Sequence, residues 1–205
     1  MSTGQTIKEE LIQEQILQAA GQLFHKYGLH KVTMDDVARA IGKGRSSLYY
    51  YYKSKEEILA AVMRHELDSM LDEVARAVDQ ASSVEEKIYA FSVTKLRGAH
   101  RWRTLYSTLE TDMDADTLSA FKTAKQGFRD RVIERQRALV RQILLDGIAQ
   151  GELRERDEQE LDMQAFVLLT SIAGIKQELI RTGNMNLAEL AVRTLSHVWA
   201  QGLKK

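Results

Sequence analysis

The residues best suited to a specific chemistry lie together in one short stretch of the chain, from His25 to Lys55. This stretch contains seven basic and two acidic residues, a local excess of positive charge in a chain that has 29 residues of each sign. It also contains five of the seven tyrosines. Basic, tyrosine and serine side chains bind phosphates and base edges, so this composition is typical of contact with nucleic acid. A solvated surface with a chance excess of lysine is the alternative.

The same stretch has the pattern of two short helices joined by a tight turn. Thr33-x-x-Asp36 resembles a capping box that starts the first helix, and Gly42 is placed to end it. The second helix is predicted from about Arg45 to Tyr52, after the turn Gly42-Lys43-Gly44. Two short helices connected in this way have the shape of a helix-turn-helix, whose second helix enters the major groove of DNA.

The second helix of this motif divides into an inner and an outer face. Leu48, Tyr51 and Tyr52 lie at i, i+3 and i+4, so they are expected to pack together against the preceding helices. Successive helical residues are about 100° apart, so the run of four tyrosines cannot be buried on one side. The side chains predicted to face outward are Arg45, Ser46, Tyr49 and Tyr50.

Lys55 stands at a helix start, where the helix dipole disfavours a cation. Ser54 and Glu57 have the spacing of a cap for the next helix, which places Lys55 in its first turn. A lysine at this position is expected if an anion such as a DNA phosphate binds beside the free backbone N–H groups. The alternative for the whole stretch is a tyrosine-rich packing helix with solvated lysines.

The elements that position these residues are helices throughout. The chain has no proline, its apolar residues recur at helical spacing, and no convincing strand is found. We therefore predict an all-α fold of about nine helices, with an N-terminal three-helix domain that contains the helix-turn-helix. Apart from the two short helices, the predicted segments are Ile12–Tyr27, Ser54–Val74, Ser83–Leu96, Trp102–Leu109, Phe121–Gly151, Asp157–Arg181 and Asn186–Leu203.

Composition and motifs exclude several classes of protein. Without cysteine there is no disulfide, thiolate zinc site or cysteine nucleophile. The segment Gly42–Ser47 lacks the third glycine of a dinucleotide loop, and no Walker phosphate loop occurs. No histidine follows a glutamate by three residues, as a carboxylate-bridged metal pair requires. The sequence therefore predicts no catalysis, no metal site and no cofactor.

Membrane and export signals are also missing from the sequence. The longest uncharged apolar run, Met163–Ile175, has 13 residues and is too short to span a bilayer. The N-terminus lacks the basic-then-apolar layout of a signal peptide. We expect a cytoplasmic protein that is associated with the nucleoid when it is bound to DNA.

A longer signature surrounds the helix-turn-helix. Its positions are Thr33, Val37, Ala38, Gly42, Leu48, Tyr49, Tyr51, Tyr52 and Ser54-Lys55-Glu56 followed by Leu59. With this signature, residues 33–59 resemble the DNA-binding domain of the tetracycline-repressor (TetR) family. The resemblance is specific over residues 10–60 and weak beyond them. The chain departs from the family pattern at Lys43-Gly44, where Val-Ser is common, and at Ser46, where glycine is frequent.

The resemblance implies that the outer face of the second helix lies in the major groove or against its walls. It also implies that Lys53 and Lys55 contact phosphates. The residues that we assign to DNA contact are Thr33, Lys43, Arg45, Ser46, Ser47, Tyr49, Tyr50, Lys53 and Lys55.

The resemblance further implies a second domain that binds a small molecule. We expect the DNA-binding domain in residues 1–53 and a helical ligand-binding and dimerisation domain in residues 54–205. Apolar walls are typical of such pockets, and plain core packing is the alternative for each side chain. The cluster Arg97, His100 and Arg101, near an expected helix junction, is either a solvated loop or a site for an acidic ligand group. The candidate lining residues are Met63, Met70, Phe91, Trp102, Tyr106, Phe128 and Phe166.

The segment Asp157–Arg181 is apolar on more than one face. A monomer needs only one apolar stripe to cover its core, so a second stripe predicts a partner. The last helix has a similar stripe, and two helices from each of two chains make a four-helix contact, the family's mode of dimerisation. We expect a charge at Ile172 or Ile175 to split the dimer or unfold the chain. The predicted interface consists of Phe166, Val167, Thr170, Gly174, Ile175, Leu190, Thr194, Leu195 and Val198.

These observations predict a homodimeric, ligand-responsive regulator of transcription. The expected mechanism is a repressor that a small, largely apolar molecule releases from a palindromic operator. Its expected partners are double-stranded DNA, a second copy of the chain and the effector, with no membrane. The alternative is a helical small-molecule-binding or scaffolding protein whose helix-turn-helix does not read DNA. Salt-dependent binding to DNA distinguishes the two.

Overall fold

Eight α-helices and one short 3-10 turn make up the described chain, as expected for an all-α protein. The computed structural model describes residues 3–111 and 113–204, apart from the side chains of residues 3–5, 105, 108, 111, 116, 120 and 124. In those ranges no helix is both long and apolar enough to cross a bilayer. The 3-10 turn Met185–Leu187 precedes the last helix. The helices are α1 (Thr3–Tyr27), α2 (Met34–Ala40), α3 (Arg45–Tyr51), α4 (Lys55–Asp79), α5 (Val84–Thr111), α6 (Ala115–Ala149), α7 (Glu158–Thr182) and α8 (Ala188–Leu203).

One continuous helix replaces two predicted ones. The sequence pattern predicts separate helices over Ser83–Leu96 and Trp102–Leu109, but α5 runs through both, so the prediction of a junction between them is wrong. Gly98 is buried inside α5, and a Cβ atom there would lie only 2.6 Å from Cγ of Met70 on α4. The glycine therefore permits close packing of two helices and does not break one. The cluster Arg97, His100 and Arg101 accordingly lies on a helix and not in a loop.

The helix starts have the side-chain caps that their sequences predict. Before α2, the Thr33 hydroxyl accepts a hydrogen bond from the Asp36 N–H, and the Asp36 carboxylate accepts one from the Thr33 N–H at 3.0 Å. These bonds from Thr33 hold the pKa of Asp36 below its ordinary value. Before α4, the Ser54 hydroxyl accepts from the Glu57 N–H at 3.2 Å. Both caps confirm the predicted helix starts.

The first compact unit contains the residues up to Asp68 together with Trp102–Arg129. Its apolar core includes Phe24 of α1, Val37 of α2 and Leu48 of α3, so the helix-turn-helix is built onto this core. A polar network also joins three helices of the unit. The Glu66 carboxylate accepts a hydrogen bond from the Tyr106 hydroxyl at 2.7 Å and lies 3.1 Å from Nε2 of His25. Burial and the charge of Glu66 raise the pKa of Tyr106.

The second compact unit contains Ser69–Arg101 and the residues from Asp130 onward. Its core includes Phe91 of α5 and a buried row on α7 formed by Leu161, Ala165, Leu168, Ile172 and Leu179. The helices α4, α5 and α6 each contribute residues to both units. This grouping by contacts differs from the expected division by role into residues 1–53 and 54–205, which stays a prediction.

Candidate nucleic-acid interface

A backbone turn connects the two helices of the helix-turn-helix. Gly42 follows α2 with a φ of 66°, a left-handed conformation that favours glycine. The next N–H, that of Lys43, donates to the Ala38 carbonyl at 2.9 Å and closes the helix end. Gly44 is the N-cap residue of α3 and provides no side-chain hydrogen bond. The turn is therefore held by main-chain geometry, without a hydroxyl cap.

The two faces of α3 are those that its spacing predicts. Leu48 is fully buried, and Tyr51 and Tyr52 are half-buried against the core of the first unit. On the other side, 40% of Tyr49 and 73% of Tyr50 is exposed. The inner face thus fixes the helix to its domain while the outer tyrosines remain available to a partner.

Arg45 begins the outer face of α3 and is held by two neighbours. Its Nη2 donates to the Tyr49 hydroxyl at 3.3 Å, and its guanidinium carbon lies 5.4 Å from the centre of the Tyr49 ring. Its Nη1 lies 3.4 Å from the carboxylate of Asp35 on α2. The bond to Tyr49 and the charge of Asp35 raise the pKa of Arg45. The guanidinium is therefore charged, exposed and oriented before any ligand arrives.

Asp35 is a candidate functional residue that the sequence reasoning missed. An acidic residue in the first turn of α2 is well explained by the helix dipole, so the sequence gives no reason to assign it another role. Its contact with Arg45 depends on the angle between two helices, which the sequence pattern does not report. The excess of basic residues around an acidic one is the only signal that points to it.

The other predicted DNA contacts lie around the same two helices. Lys43 is exposed in the turn, Lys53 is exposed after α3, and Thr33 is exposed at the start of α2. Ser46 is exposed and Ser47 is half-buried on α3. The structure therefore places these side chains on or beside the helix-turn-helix, and their contact with DNA stays a prediction.

Lys55 lies in the first turn of α4, but its ammonium is bonded to the protein itself. Nζ donates to the carbonyl oxygens of Leu29 at 2.9 Å and Val32 at 3.4 Å. Lys55 thereby ties the segment between α1 and α2 to the start of α4. An ammonium has three donors, so a phosphate contact is compatible with these bonds and stays a prediction.

The candidate ligand-lining residues fall into separate groups. Met63 and Tyr106 are buried in the core of the first unit, with Trp102 and Phe128 packed against it. The Trp102 ring stacks on Tyr106 with 4.1 Å between ring centres. In the second unit, by contrast, Phe91 is buried, Met70 lies against Gly98, and Phe166 is exposed. Among the described residues, no three acidic or histidine side chains form a group that could hold a metal ion.

The predicted dimer residues form an exposed apolar surface on α7 and α8. Phe166 is 52% exposed and Val198 is 64% exposed, and Val167 and Leu190 are exposed as well. Thr170, Gly174 and Thr194 are also exposed, whereas Ile175 and Leu195 are half-buried. Ile172 differs from these residues, because it is fully buried in the core of its own chain.

A helix-turn-helix whose second helix presents arginine and tyrosine, with exposed lysines before and after that helix, is typical of a DNA-binding regulator. The comparison with known families agrees with this class. Residues 16–62, from the middle of α1 into α4, match the family model for bacterial regulatory proteins of the tetR family. Over these residues the chain resembles the DNA-binding region of that family, whose members are regulatory proteins.

Two curated proteins show the same relationship over most of the chain. The transcriptional repressor KstR2 of Mycolicibacterium smegmatis is 28% identical over 144 residues, which cover 69% of this chain and 67% of that protein. The fatty acid metabolism regulator protein of Bacillus subtilis is 22% identical over 176 residues, 84% of this chain and 83% of that protein. Both relatives are named as regulators.

A solved structure shares the fold over nearly its whole length. The TetR transcription regulator of Haloarcula marismortui matches with a TM-score of 0.62 and 19% identity, covering 94% of this chain and 98% of that chain. At this identity the similarity concerns the fold. Both the helix-turn-helix and the helical remainder are thus features that the chain shares with known regulators.

Proposed function

We propose that this protein is a homodimeric repressor that binds a palindromic DNA operator and leaves it when a small, largely apolar molecule binds. The observation that carries the proposal is the outer face of α3. There Arg45, Tyr49 and Tyr50 are exposed on a helix whose opposite face is buried. The protein would act at the chromosome, in the cytoplasm.

The exposed side chains suit two kinds of DNA contact. Arginine pairs through two hydrogen bonds with the O6 and N7 atoms of guanine, and Arg45 stands at the start of the helix that enters the major groove. Tyrosine and serine hydroxyls and lysine ammonium groups bind phosphates and fix the position of that helix. We assign the second role to Lys43, Lys53 and the outer tyrosines, because each is exposed beside α3.

The apolar surface of α7 and α8 supports the dimer. Exposed apolar patches of this kind are rare on soluble monomers, and a two-fold contact covers the same patch on both copies. A single three-helix head reads only a few base pairs, whereas two heads spaced by one helical turn read a palindrome. Dimerisation is therefore what allows the outer face of α3 to recognise a specific operator sequence.

Release from DNA requires a ligand that distinguishes two conformations. In one of these conformations, the spacing of the two DNA-binding domains does not match the spacing of the two operator half-sites. A molecule that binds better to this conformation shifts the population away from the DNA-bound one. The candidate lining residues are apolar or aromatic, which favours a largely apolar effector. The relative from Bacillus subtilis is named for fatty acid metabolism. That name suggests amphiphilic acids and their derivatives as the first effectors to try.

The experiment that tests the proposal measures DNA binding by fluorescence anisotropy. Duplexes enriched from a random library on the immobilised protein provide the best operator, and a scrambled duplex provides the control. Binding should be specific, fall steeply with salt and require two protein chains for each duplex. Arg45→Ala and Tyr50→Ala should weaken it, whereas exposed Gln126→Ala on α6 should not. If no duplex is enriched and no salt dependence appears, the scaffolding alternative replaces the proposal.

A further inference from the structure

An open cavity of about 520 Å³ lies between α5 and the start of α8, in the second compact unit. Its volume is within the range of small-molecule binding sites. The lining comes from the part of α5 around Leu96, from the 3-10 turn before α8 and from the first residues of α8. Its described lining includes none of the side chains that the sequence predicts for a ligand pocket. The cavity is therefore a separate candidate site.

One part of the lining is apolar. Val93 and Leu96 are buried in the core of the second unit, and Met185 is half-buried against the same core. Ala188 adds a small side chain at the start of α8. Because all four residues line the cavity, a short apolar group of a ligand would contact apolar side chains there.

The exposed part of the lining is rich in positive charge. Arg97, His100 and Arg101 all line the cavity, and all three are exposed. Their spacing of i, i+3 and i+4 places them on one face of α5. A guanidinium group binds carboxylate or phosphate oxygens through two parallel hydrogen bonds. Two guanidinium groups one helical turn apart therefore suit an anionic head group.

Glu189 of α8 lines the same cavity and shares its charge among three donors. Its Oε1 accepts a hydrogen bond from the Tyr89 hydroxyl at 3.0 Å and lies 3.5 Å from Nη2 of Arg193. Its Oε2 lies 3.5 Å from Nη2 of Arg97. An exposed ion pair of this length stabilises a protein little. Arg97 therefore exchanges this partner at low cost, while Tyr89 and Arg193 continue to hold the carboxylate.

The ion pairs of this region contain more positive than negative charge. Arg101 is paired with Glu73 of α4. Together with the pairs of Glu189, the described contacts join three guanidinium groups to two carboxylates. A guanidinium has five donors, so Arg101 binds a second acceptor without losing Glu73. An anionic ligand group would supply the remaining negative charge.

We propose that this cavity binds the effector, a small molecule with a carboxylate or phosphate head and a short apolar body. Arg97 and Arg101 hold the head, and Leu96 and Met185 contact the body. The head replaces Glu189 as the partner of Arg97. A bound ligand connects α5 with α8, which carries part of the exposed apolar surface, so binding changes the contact between the two chains. The name effector rests on the proposed function, whereas the anion site itself does not.

Calorimetric titration of the DNA-free protein tests the site with three probes of equal chain length: octanoate, octyl phosphate and 1-octanol, all below micellar concentrations. Octanoate or octyl phosphate should bind more tightly than octanol by about tenfold or more, as expected for one good charge pair. Arg97→Gln should remove most of this preference and leave octanol binding unchanged. Arg76→Gln, at an exposed position of α4 outside the cavity lining, should change neither. The stronger of the two anions identifies the head group.

Two further variants separate the proposed role from loss of structure. Glu189→Gln should strengthen anion binding by about threefold or more, because a like charge that competes for Arg97 is removed, and octanol binding should not change. Weaker anion binding in this variant would contradict the exchange of partners at Arg97. Met185→Gln should weaken the binding of all three probes alike, since it makes the apolar part of the lining polar.

The same titrations decide between the site and the proposed function. Equal binding of the three probes, binding of none, or an anion preference that persists in Arg97→Gln would show that the cavity has no anion site. If the operator is still bound specifically in that case, only the inference about the cavity fails. If an anion binds through Arg97 but the DNA complex stays intact, the site stands and the ligand-controlled release proposed above is wrong.

Discussion

Arg45 is the residue on which sequence discrimination should depend. Its guanidinium is already oriented by Tyr49 and Asp35, so little side-chain entropy is lost when it meets a base pair. We expect Arg45→Ala to cost about 1–3 kcal/mol on the enriched operator and little on random DNA. Asp35→Asn should have the complementary effect: stronger binding to random DNA, because a negative charge is removed, and weaker discrimination. Competition between the two duplexes measures both, and equal losses on both duplexes in Arg45→Ala would make Arg45 a phosphate contact.

Lys53 and Lys55 form a matched pair for separating phosphate binding from structural support. Lys53→Ala should lower the slope of log affinity against log salt by about one and leave folding unchanged, since one phosphate contact is lost. Lys55→Ala removes the bonds to Leu29 and Val32, so the free energy of unfolding should fall by about 1–3 kcal/mol. If its phosphate contact also forms, the salt slope should fall as well. A lower stability with an unchanged slope would make Lys55 purely structural.

Lys95 gives the stability of the protein a specific dependence on pH. Its pKa is about 8 in the folded protein, against 10.5 for an ordinary lysine. Between these values the unfolded chain binds more protons than the folded one, so the free energy of unfolding should rise with pH across this window. Below pH 8 both states carry the charge, and the full penalty of burying it remains. Lys95→Met should therefore be more stable than the original chain there, and the difference should shrink as pH approaches 10.5. Urea unfolding at several pH values measures it, with Lys204→Met as control, and parallel curves would contradict the assignment.

Among the helices, α7 has two apolar faces, one buried in the core of its own chain and one exposed. Leu168 and Ile172 are buried in the chain's own core, whereas Phe166 and Val167 are exposed on the other side. We expect Phe166→Glu to convert the dimer to a monomer of 23.3 kDa that stays folded, and to abolish binding to the operator. A charge at Ile172 should instead unfold the chain, because that side chain is fully buried in the core of its own chain. Sedimentation and circular dichroism separate the two results, with Gln126→Glu as control. A native protein that sediments as a monomer would overturn the dimer.

The helix starts show how far the sequence alone reaches. Thr33 with Asp36 and Ser54 with Glu57 are predictable because each cap is formed by residues three positions apart. The two faces of α3 are predictable for the same reason, since helical spacing decides which side chains share a side. Local patterns of this kind describe most of the helices and the outer surface of the candidate interface.

Features that depend on distant residues escape this reasoning. The sequence does not show that Met70 packs against Gly98 inside one continuous helix, where two helices were predicted. In the sequence, the helix dipole is enough to explain Asp35 at the start of α2. Its contact with Arg45 is seen only when the position of α3 relative to α2 is known. Lys95 is a single charge in an apolar series, and the sequence does not show that no carboxylate is paired with it among the residues that the structure describes. In each case the deciding contact joins two helices whose relative positions the sequence pattern does not contain.

For the whole molecule, the division into two compact units coincides with a useful distribution of aromatic residues. Trp102 packs against the core of the first unit and stacks on Tyr106, whereas Trp199 packs against the core of the second. These are the two tryptophans of the chain. Each unit therefore contains its own intrinsic fluorophore, and the emission of one can be isolated by replacing the other with phenylalanine.

The variants Trp102→Phe and Trp199→Phe each keep one tryptophan, so the fluorescence of each unit can be measured separately. Because α4, α5 and α6 run through both units, we expect the two emission signals to change at the same urea concentration, as one cooperative transition. Separate midpoints would show that the units melt independently. The same two channels would also report which end of the protein responds first when DNA or an amphiphilic anion is added, without any attached dye.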